Sequence, residues 1–255
     1  MEAVLKETKS SPIVKISKKY TVMSEEVAND ILKLSRKKIK EKGSFTIALS
    51  GGSTPKGVYL AMANKDYIGE FDWENIHFFW TDERFVDADD IKSNYRMVAE
   101  ALITKIDIPP QNIHPIKTQV KSPKIAAEKY EEELRSFFEL AKGEFPTFDL
   151  VLLGLGQDGH TASLFPGTEA LEEKERLAVS VKHDELAEER ISLTYPVINH
   201  AKKIMFIVSG REKSDILKKA LDEETAGAFP AGKIRPENGE LVWYVDVHAA
   251  ALISS

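Results

Sequence analysis

The 255-residue chain contains no cysteine, which removes disulfides, thiolate catalysis and any cysteine-bearing zinc site together. No apolar run approaches the roughly 20 residues that a membrane-spanning helix needs. Residues 1–10 lack the basic start and apolar core of an export signal. Basic residues are outnumbered, 35 to 41, for a formal net charge of −6. Because Lys and Glu are intermixed, the positive stripe that a nucleic-acid backbone demands is missing too. No Gly/Ser linker, low-complexity tract or internal repeat marks a domain boundary. These absences lead to the expectation of a soluble, cytoplasmic protein that binds neither nucleic acid nor membrane, with residues 1–255 as a single domain. Abundant Lys and Glu with few Gln lean towards a thermophilic source.

What is present can fill a core, with 42% of residues hydrophobic. Ser24 reads as a helix N-cap, and Val27, Ile31 and Leu34 follow at helical spacing. Residues 24–41 are therefore expected as an amphipathic helix that ends at Gly43 and leaves Lys37, Lys38 and Lys40 in water. Phe45–Leu49 is a short apolar run that meets Ser50-Gly51-Gly52-Ser53-Thr54-Pro55, and a helical pattern resumes at Val58. The same strand-then-loop unit recurs at Ile76–Trp80 before Thr81-Asp82-Glu83-Arg84, and at Phe148–Leu153 before Gly154. It occurs again at Ile204–Val208 before Ser209-Gly210-Arg211-Glu212-Lys213. With helical stretches such as Lys124–Lys142 and Lys213–Leu221 between them, these strands predict a mostly parallel, Rossmann-like sheet with helices on both faces. In such sheets ligands sit at the carboxyl ends of the strands, so the four loops are expected to converge. Residues 226–239 read as a long loop packed at Phe229-Pro230-Ala231.

Each loop carries chemistry. The glycine pair at 51–52 offers backbone N–H groups and hydroxyls at a helix start, with Pro55 suited to the first helical position; this is how an anion such as a phosphate monoester is held. The nucleoside-triphosphate pattern G-x-x-x-x-G-K-[ST] is absent. Asp82 and Arg84 follow a buried strand, where the guanidinium can grip an anion and the acid can orient a histidine or water. Cationic Arg211 and Lys213 at a helix start conflict with its dipole unless an anion is bound. Arg190, before the strand Ile191–Leu193, could simply pair with a carboxylate.

Gly154, Gly156 and Gly159 complete a G-x-G-x-x-G, a pattern associated with dinucleotide cofactors. The fit is poor, because Glu172, Glu173 and Glu175 precede the next candidate strand, Leu177–Val181. Phe165-Pro166-Gly167 also cuts the supposed cofactor helix to a turn or two. His160, just past the glycine turn and flanked by Asp158, instead suits a general base. His77, His114, His183, His200 and His248 read as structural, since no close pair or H-E-x-x-H suggests a metal.

Taken in order, S-G-G-S-T-P, T-D-E-R-F-V with Ser93-Asn94-Tyr95, G-L-G-Q-D-G-H-T-A-S-L-F-P-G and E-R-I-S-L-T-Y-P-V-I-N resemble the 6-phosphogluconolactonase family. The matches extend from about Ile47 to the C-terminal L-V-W-Y-V-D. The resemblance implies an α/β/α sandwich that hydrolyses 6-phospho-D-glucono-1,5-lactone in the oxidative pentose phosphate pathway, without cofactor or metal. It also implies His160 as general base, Arg84 and Lys213 in the anion-binding set, and Gly51, Gly52 and Ser53 beside the sugar phosphate. Asp82 and Arg190 are expected among the substrate-binding residues, with Asp158 or a neighbouring acid orienting His160. A monomer is compatible with this reading but not specified by it.

The alternative is a glucosamine-6-phosphate deaminase, which shares the first and third motifs. The resemblance to deaminases breaks at Arg84, where they typically carry Tyr, and at Ser163-Leu164-Phe165, which replaces a Phe-Asn-Glu segment. Two further classes stay open from residues alone: a nucleotide-dependent oxidoreductase and a non-catalytic sugar-phosphate sensor.

Overall fold

A computed structural model describes residues 12–183 and 186–253; the N-terminal stretch read above for an export signal lies outside them. The first strand, β1 (Ile13–Ser17), leads to helix α1 (Tyr20–Lys42), whose buried stripe includes Met23, Val27, Ile31 and Leu32. Gly43 closes the helix with φ +84 and its N–H on the Ile39 carbonyl, as expected. The start differs from expectation. Ser24 is no N-cap: it lies inside the helix, and its hydroxyl donates to the Tyr20 carbonyl at 2.9 Å. The first turn begins after Lys19, which makes no side-chain capping bond and so leaves no sequence signature.

Strand β2 (Phe45–Leu49) is wholly buried and feeds helix α2 (Ser53–Met62). Gly52 is the N-cap, so Pro55 is the third helical residue and not the first; its missing N–H still falls among donors that have no intrahelical acceptor. Strand β3 (Ile76–Trp80) is followed by β4 (Asp82–Arg84), then helix α3 (Asn94–Ala101) and the two-residue β5 (Ile113–His114). Helix α4 (Pro123–Phe137) is capped by the Ser122 hydroxyl and ends five residues before the expected Lys142. There Glu139 adopts φ +53 and the Leu140 N–H reaches back to the Arg135 carbonyl, closing the helix.

The remaining elements are β6 (Leu150–Leu153), β7 (Ala178–Val181), β8 (Arg190–Leu193), α5 (Tyr195–Asn199), β9 (Lys203–Val208), α6 (Ser214–Leu221) and β10 (Glu240–Asp246). Seven strands form one parallel sheet in the order β1-β10-β9-β6-β2-β3-β5, flanked by helices. The four strands read from the sequence are its centre, and β1, β5 and β10 extend it.

Thr81-Asp82-Glu83-Arg84 was expected as a loop. Instead β4 pairs antiparallel with β8, and β8 with β7, in a second, three-stranded sheet. This sheet is stabilised by long-range satisfaction of a buried acid. Glu83, 2% exposed, accepts from the backbone N–H groups of Asn94 and Tyr95 at 2.7 Å and of Arg84 at 2.8 Å. It also takes the Ser93 hydroxyl. Burial pushes its carboxyl above the usual range against these bonds, which favour the carboxylate.

The chain leaves β2 towards β3 and β5 on one side, and leaves β6 towards β9 and β10 on the other. The crevice between β2 and β6 is thus a topological switch point, where ligands of open α/β sheets bind. Behind it the two strands are fastened by Asp149, which accepts from the Thr46 N–H at 2.9 Å and from its hydroxyl at 3.0 Å, and pairs with Lys42 at 2.9 Å.

Candidate active site

The switch point opens into a cleft of about 400 Å³. Every loop read as chemical contributes to it. Gly51, Gly52 and Ser53 come from the β2 end, His160 from the β6 end, Lys213 from the β9 end, and Asp82, Arg84 and Arg190 from the small sheet. Asp158 stands beside His160 and not in the wall. Arg211 is not part of the lining.

The turn after β6 explains its glycines without a cofactor. The Gly156 N–H donates to the His160 carbonyl at 2.8 Å, and the imidazole folds back over Gly156 so closely that a Cβ there would meet Nδ1 at 2.1 Å. Gly159 adopts φ +83, and a side chain on it would strike Phe229. No α-helix follows the turn; the next helical segment is a single 3₁₀ turn at Glu169–Glu172. A pyrophosphate has no helix N-terminus to rest on there. The segment 226–239 is a loop that carries two 3₁₀ turns, Ala226–Ala228 and Ala231–Lys233, and is tied to this site, since the Ala231 N–H donates to the Gly159 carbonyl at 2.9 Å. Tyr195 also donates to the Pro230 carbonyl at 3.0 Å, so the packing expected at Phe229-Pro230-Ala231 is present.

His160 Nδ1 lies 2.6 Å from Asp158 Oδ1, and the same oxygen accepts the His160 backbone N–H at 3.1 Å. A carboxylate can only accept, so Nδ1 is the donor, and in the neutral imidazole Nε2 then carries the free lone pair. Burial works against ionisation of Asp158, but the His160 hydrogen bond and charge outweigh it and hold the carboxyl below its usual range. Phe165 packs 4.3 Å from the imidazole, centroid to centroid, and limits its rotation. Immediately after His160 the chain takes a strained step, with Ala162 at φ +48 in the turn that bridges Thr161 and Leu164.

Three cations line the same cleft as this base. Arg84 and Arg190 are register partners across β4 and β8. Burial and the Arg84 charge push the Arg190 guanidinium below its usual range, and its Nη1 is buried without a partner. Burial likewise lowers the Lys213 ammonium, although Glu212 and Asp158 pull it partly back up. Like charges lining one cleft are chemically suited to an anion. Asp82, 7% exposed, accepts from the Ser163 hydroxyl at 2.7 Å and from the Thr81 hydroxyl at 3.2 Å. Sequence reasoning did not single out Ser163, Ser50 or Asn94 for the site. All three line the cleft and lie in stretches quoted for the family resemblance, Ser50 at the end of β2 and Asn94 and Ser163 brought in by their bonds to Asp82. Among the described residues no group of three or more His, Asp or Glu is placed to hold a metal ion.

Comparison with known proteins follows the same lines. The family described as glucosamine-6-phosphate isomerases/6-phosphogluconolactonase matches residues 18–243. A 6-phosphogluconolactonase of Nostoc sp. is 45% identical over 217 residues, covering 85% of this chain and 88% of that protein. One of Haemophilus influenzae is 41% identical over 208 residues, covering 81% and 87%. The solved 6-phosphogluconolactonase of Trypanosoma brucei superposes with a TM-score of 0.86 at 27% identity, covering 96% of this chain and 99% of that one. A monomeric glucosamine-6-phosphate deaminase superposes at 0.78 with 22% identity, a likeness of fold alone.

Proposed function

The chain belongs to the glucosamine-6-phosphate isomerase/6-phosphogluconolactonase family, and we propose that it acts there as a lactone hydrolase with His160 as its base. The enzyme converts 6-phospho-D-glucono-1,5-lactone to 6-phospho-D-gluconate. The observation that carries the assignment of the base is the imidazole fixed through Nδ1 on Asp158, in a cleft that three cations also line.

A lactone is already an activated ester, so the protein must position it, deprotonate water and stabilise one oxyanion. The phosphate lies against Arg84, Arg190 and Lys213, with the N–H groups of Gly51, Gly52 and Ser53 adding donors. Nε2 of His160 takes a proton from water as the water oxygen bonds to the lactone carbonyl carbon. Asp158 steadies the imidazolium that forms. Backbone N–H groups of the glycine turns, assisted by a cation, receive the charge on the carbonyl oxygen. The ring C–O bond then breaks, and the imidazolium returns its proton to the departing ring oxygen.

The deaminase alternative is not favoured. Ser163-Leu164-Phe165 fills the segment where its additional acid is expected, and Ser163 is bonded to Asp82. The cleft opens from one continuous core, which supports a single-domain enzyme, and a cytoplasmic setting suits its substrate. The direct test is a coupled assay with freshly generated lactone, corrected for spontaneous hydrolysis, with glucosamine 6-phosphate as control. Lactone turnover without deamination is expected; the reverse would overturn the reading.

A further inference from the structure

Among the described residues, five buried side-chain polar atoms lack a hydrogen-bond partner, and three of them, Ser50 Oγ, Asn94 Oδ1 and Arg190 Nη1, belong to residues that line the cleft. Buried polar groups are ordinarily paired, so a concentration of orphans around one polar cleft marks where a ligand completes them. Arg190 is a donor and suits the phosphate. Asn94 has the opposite polarity.

Asn94 is the first residue of α3 and is 1% exposed. Its position is fixed twice. The backbone N–H is held by Glu83 at 2.7 Å, and the carboxamide Nδ2 donates to the Asp82 carbonyl at 2.9 Å. Because that carbonyl can only accept, the amide orientation is determined and Oδ1 must face the other way. It faces the glycine loop: a Cβ on Gly51 would lie 1.8 Å from Oδ1. The glycine thus leaves space for an amide oxygen that has nothing to accept.

An amide oxygen repels a phosphate and cannot bond a lactone carbonyl. The groups of a sugar-phosphate lactone that can satisfy it are the ring hydroxyls. We propose that Asn94 is a specificity-determining residue whose Oδ1 accepts a hydrogen bond from one hydroxyl of the lactone ring. The cations hold the anionic end, and Asn94 reads the polyol. This inference rests on the lactonase reading above.

The test uses the full chain and four lactones: 6-phosphogluconolactone and its 2-, 3- and 4-deoxy analogues. Turnover of the parent lactone by the unaltered enzyme is the control. Its failure would refute the lactonase reading itself and is seen before any variant is made. Given turnover, one deoxy analogue is expected to show KM raised about tenfold in the unaltered enzyme, the size of one hydrogen bond in a buried site. Asn94→Ala, shown folded by thermal melting, is expected to raise KM for the parent lactone about tenfold and to lose discrimination against that analogue. Inhibition by inorganic phosphate should be unchanged. Equal KM for all four lactones in the unaltered enzyme overturns the proposal whether or not any variant folds. Asn94→Ala that retains the discrimination, or weakens phosphate inhibition as much as lactone binding, also overturns it and leaves Asn94 as a brace for the glycine loop.

Discussion

Among the described residues three histidines pair with carboxylates; His200, on exposed Glu237, lies outside the cleft, and the instructive contrast is between His160 and His114. His160 Nδ1 is 2.6 Å from Asp158 and its Nε2 has no protein partner among the described residues. His114 Nδ1 is 3.0 Å from Glu133, but its Nε2 is 3.2 Å from His77 Nδ1. Its ring lies flat on Phe79, 4.3 Å away with planes 8° apart, and meets Phe137 edge-on. The difference shows that a His–carboxylate pair is not itself a catalytic device. What decides is whether the second nitrogen meets a cleft or another side chain, and that depends on where each pair sits in the sheet. His160 follows the C-terminal end of a central strand at the switch point, whereas His114 belongs to the edge strand β5.

The largest expected effect is at His160. His160→Ala should lower kcat by about 10²–10⁴, with added imidazole recovering part of the rate if the missing group is a base. Asp158→Asn comes next, at about 10–10² in kcat, because its half-exposed carboxylate is screened more than a buried triad acid whose loss costs ~10⁴. Lys213→Ala should raise KM by about 10–10² and spare kcat, the loss of one charge-assisted contact to the phosphate. A KM unchanged in both Lys213→Ala and Arg84→Ala would move the anion elsewhere. Since burial lowers the Lys213 ammonium, its positive charge is lost, as pH rises, earlier than for an ordinary lysine. KM should rise along that limb, and Lys213→Arg should move the rise to higher pH.

The His77–His114 pair should register in stability. Burial, with the neighbouring His114 and Lys42, depresses His77 to about 4. Unfolding restores a value of about 6.5, so the unfolded chain binds the extra proton. Its contribution is fully present above about 6.5 and lost as pH falls through about 4. Melting temperatures of His77→Leu should therefore fall less steeply over this window than those of the unaltered protein; parallel curves would remove His77 from the acid response.

The sequence made the catalytic turn legible because its signals are local. Leu150–Leu153 is an apolar run, the glycines follow within six residues, and Asp158 is two residues from His160. Gly43 as a helix terminator belongs to the same class. The small sheet was hidden for the opposite reason. Asp82-Glu83-Arg84 is fully charged, and its burial depends on N–H donors eleven and twelve residues away in α3. Arg190 read from its residues alone as an ion-pair partner and from the family resemblance as substrate-binding, and its place opposite Arg84 needed the β4–β8 register. Asn94 and Ser163 lay in quoted motifs but received no role, since their bonds to Asp82 span 12 and 81 positions of sequence.

The most direct test of the central claim is to compare kcat for His160→Gln and His114→Gln at saturating, freshly generated lactone, after both have been shown folded and spontaneous hydrolysis has been subtracted. His160→Gln is predicted to fall by about 10²–10⁴, while His114→Gln stays within about twofold, because it removes no transition-state contact. Near-normal turnover by His160→Gln, or an equal loss in both, would contradict the account.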